Sequence, residues 1–204
     1  MTQNAKTFEL TIDSIANGGA GVGMHRRRPV FVPYTIPGER LIARPVEEAD
    51  RHTIAEGVKL LDASADRVYP VCPHFGPGRC GRCQWQHISY EAQLLLKQDI
   101  LADQLGRLGS FSDRDIEQAL RPPIGSPQEW AYNAHMTFSV TSNLRLAFPG
   151  SDGRSLQPID VCHILHPDLL DLYELLDLDL HDVKRVKLQI GSDGERMIIL
   201  SLTQ

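Results

Sequence analysis

Residues 7–32 open with Thr7-Phe8-Glu9-Leu10-Thr11-Ile12, pass through Asn17-Gly18-Gly19-Ala20-Gly21-Val22-Gly23 and close with Val30-Phe31-Val32. Phe8, Leu10 and Ile12 alternate with Glu9 and Thr11, the period-two pattern of a strand with one buried face. The glycine run suits a turn or bulged connection, because glycine takes left-handed backbone without steric cost. Its spacing is G-G-x-G-x-G and it leads into a strand, so it fails the helix test that a phosphate-binding fingerprint must pass. Further short strands are predicted at Leu41-Ile42-Ala43 and Val58-Lys59-Leu60, with a turn at Pro37-Gly38-Glu39. So many short strands within residues 1–62 predict a small closed β-barrel of the OB type.

Periodicity stops between Ala63 and Ile88, a proline-rich stretch that holds Cys72, Cys80 and Cys83. From Ser89 to Leu108 the sequence predicts a helix with Leu94, Leu101, Leu105 and Leu108 on one face, Ser89 as its cap and Gly109 as its stop. Pro122, Pro123 and Pro127 mark a boundary. Beyond it, strands are predicted near 134–140 and 144–148 around Ser142-Asn143, then a helix at 167–176. Strands near 183–190 and 196–202, joined through Gly191-Ser192-Asp193-Gly194, complete an α+β domain. The expected division is thus a barrel at 1–62, a cysteine loop with its helix at 63–109, and an α+β central domain at 110–204. Because the sequence stops just after a strand, the expectation is that it is a fragment.

The 204 residues are 42% hydrophobic and 23% charged, which excludes a disordered chain. No apolar run reaches the roughly 20 residues of a membrane span, and the N-terminus lacks a signal-peptide pattern. A cytoplasmic location with no membrane partner is expected; protein partners are left open. The net charge of −5 counts mildly against nucleic acid. Lysines and arginines balance acids at 8 each over residues 1–62 and 7 each over 63–125, so the deficit lies in the last third. A neutral barrel can still present a basic edge, and Arg26-Arg27-Arg28 sits where such barrels meet nucleic acid. That run reads equally well as a solvated turn or as a set of phosphate contacts.

Cys72-x7-Cys80-x2-Cys83, with Cys162 far downstream, carries the chemistry. Three cysteines in twelve residues of polar loop are poor candidates for packing, and a reducing compartment disfavours disulfides. Four soft sulfur donors suit either a tetrahedral zinc or an iron–sulfur cluster. A single C-x2-C with two outlying cysteines leans toward the cluster, yet spacing leaves both open. His74 or His87 could replace a sulfur around zinc; loop histidines more often bond to backbone or RNA.

Cys72-Pro73-His74-Phe75-Gly76, Cys80-Gly81-Arg82-Cys83-Gln84-Trp85-Gln86-His87 and Tyr90-Glu91-Ala92-Gln93-Leu94 resemble the RNA uracil-C5 methyltransferase family. Gly19-Ala20-Gly21-Val22, Val30-Phe31-Val32-Pro33 and Pro37-Gly38-Glu39 are similar to the TRAM domain that opens those proteins. Trp130-Ala131-Tyr132, Phe138-Ser139-Val140 and Pro158-Ile159-Asp160-Val161-Cys162 extend the resemblance along the chain. Two departures stand out: an x7 first spacing where x5 is common, and Tyr132-Asn133-Ala134 in place of Tyr-Arg-Asn. The resemblance implies a 4Fe-4S cluster on Cys72, Cys80, Cys83 and Cys162, and an RNA-binding TRAM barrel. It implies RNA contacts at Arg26, Arg27, Arg28, His74, Phe75, Gln86 and His87, and tRNA or rRNA as the partner.

Methylating C5 of uracil needs a thiolate at C6 and a base for the C5 proton. With four cysteines on a cluster, none is left to attack. No S-adenosylmethionine-binding strand–loop–helix is recognisable either. The expectation is an inactive N-terminal part whose S-adenosylmethionine-dependent catalytic domain lies beyond Gln204. The rival readings are a stand-alone RNA-binding protein and a zinc-stabilised interaction module.

Overall fold

A computed structural model of the chain describes residues 6–203. They form two sheets and three α-helices in two compact units. One takes in the described residues up to Tyr69 together with Gln84–Gly125; the other takes in Pro70–Cys83 and the described residues from Ser126 onward. The units therefore cut the chain differently from 1–62, 63–109 and 110–204. The cysteine loop joins the second unit because its backbone is hydrogen-bonded there, and the helix after it joins the first. Among the described residues no helix is long and apolar enough to cross a membrane.

The first unit contains β1 (Phe8–Thr11), β2 (Ser14–Ile15), β3 (Gly21–His25), β4 (Arg28–Val32), β5 (Arg40–Glu48) and β6 (Thr53–Asp62), ordered β1-β5-β6-β4-β3-β2. Only the β4–β6 pairing is parallel. β1 and β2 stand at opposite ends of this ladder, yet only Ile12 and Asp13 separate them. One bent segment therefore lies along both edges and curls the sheet onto itself, with the Asp13 N–H donating to the Val22 carbonyl at 2.8 Å. The glycines serve that closure: a Cβ at Gly23 would run into the Thr11 carbonyl and the Leu10 side chain. Leu10, Ile12, Val30, Val32, Leu41, Ala43 and Ala55 fill the interior. β5 and β6 run far longer than expected, because Pro45 and the acids after it sit in a ladder broken by bulges.

The unit also buries one charge. Glu39, fully buried, accepts from the Ile36 N–H at 2.9 Å and from the Arg67 guanidinium at 2.5 and 2.7 Å. Arg67 also donates to the Tyr34 carbonyl at 2.9 Å. Burial pushes the Glu39 carboxyl upward, but the Arg67 and Ile36 donors outweigh it and hold the group below its ordinary value. α1 (Tyr90–Arg107) and α2 (Asp113–Ala119) complete the unit.

Two expectations about α1 need correction. Ser89 occupies its N-cap position, but its hydroxyl makes no cap bond. Gln93 instead donates to the Trp85 and Ile88 carbonyls at 3.1 and 2.9 Å. The predicted buried leucine face is largely open as well: Leu101 and Leu108 are exposed, and Ala92 is the residue α1 buries, against Ile36 and Ile88. α2 was not anticipated, although Ser112 caps it by accepting from the Asp115 N–H at 3.2 Å.

In the second unit β7 (His135–Val140), β8 (Leu146–Pro149), β9 (Leu156–Pro158), β10 (Val183–Ile190) and β11 (Arg196–Leu202) form an antiparallel sheet ordered β11-β10-β7-β8-β9. α3 (Pro167–Glu174) covers it. Phe138 is central, stacked on Phe148 at 4.9 Å and on Tyr173 at 5.2 Å, with Met136, Leu169, Val186 and Leu188 buried around it. The strands and helix expected here are present; the short β9, which ends in proline, was not foreseen.

Candidate functional site

All four cysteines fall in the second unit and all are half-buried. Cys80, Cys83 and Cys162 pack against the sheet's apolar core. The 72–83 loop reaches that position through backbone pairing with the turn between β8 and β9. The Gly81 N–H donates to the Pro149 carbonyl at 2.9 Å, and the Ser151 N–H donates to the Arg79 carbonyl at 2.7 Å. This approach requires the glycine of Cys-Gly-Arg-Cys: a Cβ at Gly81 would stand 2.8 Å from the Gly150 carbonyl oxygen. The longer x7 spacing is absorbed here too, with the Gly78 N–H donating to the Ser151 hydroxyl at 3.0 Å.

The segment bearing Cys162 is held from three sides. Tyr173 of α3 donates its hydroxyl to the Ile159 carbonyl at 2.6 Å. Arg145 pairs with Asp160 at 2.9 Å, and the Asp160 N–H donates to His74 Nε2 at 3.4 Å. The Ala131 and Asn133 N–H groups donate to the His163 and Ile164 carbonyls at 2.9 and 2.8 Å. His74 thus links the first cysteine's loop to the last cysteine's segment.

Electrostatics show that the sulfurs feel one another. Burial pushes the Cys162 thiol up to about 11, and Cys83, Cys72 and Cys80 add to the rise. Cys80 is raised first by burial, then by Cys83 and Cys72. Tyr132 is raised by burial and further by Cys83 and Cys162. Arg82 lies over the Phe148 ring at 5.4 Å and donates to the Met136 sulfur at 3.3 Å.

The sulfurs do not converge on a point, however. Among the described residues no group of three or more His, Cys, Asp or Glu side chains is arranged to hold a metal ion. The expectation of a ready-made ligand sphere is to that extent not met. Burial and mutual repulsion both oppose ionising four neighbouring thiols without a counter-charge. A single zinc would draw sulfurs to 2.3 Å or so from one centre, whereas a multi-iron cluster takes one thiolate per iron and spaces them more widely. In donor type the four thiols suit either group.

The remaining expected RNA contacts divide. Arg26 and Arg27 form the two-residue turn between β3 and β4, both exposed and both left-handed, with φ of 50° and 65°; exposed Arg28 begins β4. Such turns favour Asn-Gly, and each bulky left-handed residue costs about 1–2 kcal/mol. Phe75 and Gln86 are half-buried. His87 is a correction: at 1% exposure it cannot meet RNA, and burial followed by the Arg67 charge lowers it to about 4. Its ring lies edge-on to Tyr34 at 6.2 Å. Arg82, Tyr132 and Tyr173 were missed as neighbours of the thiols; for Arg82, a place inside the C-x2-C was the available signal.

Comparison with known proteins shows what the chain is similar to. The chain is 33% identical over 174 residues to an uncharacterized RNA methyltransferase of Streptomyces avermitilis, covering 81% of this chain and 40% of that protein. It is 32% identical over 205 residues to the 23S rRNA (uracil(1939)-C(5))-methyltransferase RlmD of Shewanella sediminis, covering 96% and 45%. Its relatives are named RNA methyltransferases. The chain spans less than half the length of these curated relatives. No protein-family model matches it. Its fold is similar to a crystal structure of Pyrococcus abyssi tRNA (uracil-54, C5)-methyltransferase in complex with S-adenosyl-L-homocysteine. That likeness has a TM-score of 0.65 at 19% identity and covers 96% of this chain and 46% of the other.

Proposed function

We propose that these residues form the RNA-holding part of an S-adenosylmethionine-dependent RNA uracil-C5 methyltransferase acting on ribosomal or transfer RNA. The observation that carries the reading is the 32% identity to RlmD across 96% of the chain, since that relative's name specifies the base and the atom. In this reading the first unit is an OB-type TRAM barrel that meets phosphates through Arg26, Arg27 and Arg28. Cys72, Cys80, Cys83 and Cys162 hold a 4Fe-4S cluster, which when bound cross-links the loop to the Cys162 segment. Closing the 79-residue separation of Cys83 and Cys162 opposes an entropy of roughly 4 kcal/mol plus a constant, so an architectural role suffices.

Methyl transfer itself is assigned to the further length that such proteins have. With four thiols on a cluster, no cysteine is left to attack C6. Among the described residues no two parallel strands are joined through a helix, the unit from which dinucleotide- and S-adenosylmethionine-type sites are built.

Binding to ribosomal and transfer RNA transcripts across a salt series tests the reading. Arg26→Asn with Arg27→Gly suits the left-handed turn and keeps the hairpin, so weakened binding there reports charge rather than misfolding. Each lost phosphate contact should flatten the salt slope by about 0.7 on single-stranded RNA. Retention of neither RNA class at low salt overturns the function; an unchanged slope makes the arginine turn a solvated one.

A further inference from the structure

Beside the arginine turn the first unit has an open cleft of about 750 Å³, within the roughly 300–1,000 Å³ range of small-ligand sites. Its lining comes from the start of β1, the β3–β4 hairpin and the end of β5. Two aromatic rings meet in it: Phe8 and His25 stack with centroids 4.0 Å apart and planes within 23°. Arg26, Arg28 and Lys6 stand on its wall, and Glu47 and Glu48 line it from β5.

The charges here are handled differently from those on the rest of the barrel. On β5, Arg40 is paired with Glu9 and Asp62, and Arg44 with Glu56. Among the described residues, Lys6, Arg26 and Arg28 are in no ion pair, and neither are Glu47 and Glu48. Unspent cations, unspent carboxylates and a short ring stack in one cleft together match a nucleotide. The rings extend a base stack, the cations take the phosphate, and the carboxylates face whatever donors the base presents.

We propose that this cleft holds one unpaired guanosine of the bound RNA, its base against the Phe8–His25 stack and its Watson–Crick edge toward Glu47 and Glu48. This deepens the RNA-binding reading and rests on it. The choice of base follows from donor chemistry. A carboxylate only accepts hydrogen bonds, and guanine alone presents two adjacent donors, N1–H and the 2-amino group, on that edge. Adenine and cytosine place a ring-nitrogen acceptor against the carboxylate, and uracil offers a single donor between two carbonyls.

The test uses the whole chain and fluorescently labelled RNA pentamers: UUGUU, its adenosine and inosine counterparts, and pentauridine. The expected result is tightest binding to UUGUU, by about tenfold over the adenosine pentamer, with inosine between because it lacks the 2-amino group. Phe8 also touches the barrel core, so Phe8→Leu alone could act through folding. The exposed pair Glu47→Gln/Glu48→Gln avoids that: it should erase the guanosine preference while leaving pentauridine binding equal or tighter. RNA binding without a base preference, or a preference untouched by the glutamines, overturns the guanosine site and leaves the RNA-holding function in place. Failure to bind any RNA overturns both.

Discussion

Acidification should unfold the first unit through His87, and the size of the effect can be worked out. The ring is 1% exposed, and its group is lowered from 6.5 to about 4, first by burial and next by the Arg67 charge; Thr35 and Glu39 pull weakly the other way. His87 is therefore neutral in the folded protein. The unfolded chain takes up the proton at about 6.5. Stability from this group is fully present above pH 6.5, erodes as pH falls, and is lost by about pH 4. A gap of that width is worth roughly 3 kcal/mol, a large part of a small domain's stability. The chain has two tryptophans, and only Trp85 belongs to the first unit. Urea unfolding of a Trp130→Phe variant, followed by Trp85 fluorescence from pH 7.5 to 4.5, reads this unit alone. The fall in stability should steepen toward about 1.4 kcal/mol per pH unit, and His87→Gln should remove most of the slope whatever it does to the stability at pH 7.5. A slope equally steep in the glutamine variant would refute the assignment.

Glu39→Gln should destabilise the same unit by about 2–3 kcal/mol, because Arg67 then keeps its charge with no carboxylate opposite; the urea midpoint at neutral pH measures it. As the Glu39 carboxyl is held below its ordinary value, its contribution persists above pH 4.5 and disappears only as pH falls through the lower folded value. Protein purified without oxygen should be brown with about four irons per chain, and Cys162→Ser should lose most of them; stoichiometric zinc without iron would contradict the cluster. Gly81→Ala should lower iron content while leaving the first unit's Trp85 transition in place, since its Cβ collides with the backbone at Gly150 in the second unit.

Much of the first unit's sheet was legible because alternation from Phe8 to Ile12 and the Val30–Val32 run record burial directly. The second half of β5 and the first half of β6 were not: Pro45, Glu47 and Glu48 read as loop, and residues 53–57 bury only Thr53 and Ala55, so much of their strand character lies in the backbone ladder. The period of α1 placed its leucines on one face but could not say what covers that face. Residue type and spacing pointed to the four cysteines as one ligand set, and the fold puts all four in the second unit without gathering them about a point. Their positioning did not, because it depends on pairings such as Asp160 with His74, which are 86 residues apart. His87 was misplaced for a related reason. A histidine in a polar loop looks available, and only the fold reveals its ring almost wholly buried and edge-on to Tyr34.

The assignment of these residues to RNA holding rather than methyl transfer is tested most directly by one incubation. The purified chain is mixed with unmodified ribosomal and transfer RNA and isotope-labelled S-adenosylmethionine, RNA retention is measured, and the RNA is digested to nucleosides. The account predicts retained RNA with no label in 5-methyluridine. Labelled 5-methyluridine above the no-protein control, abolished by a single Cys→Ser change that leaves the iron content intact, would contradict it and place the nucleophile among these four thiols.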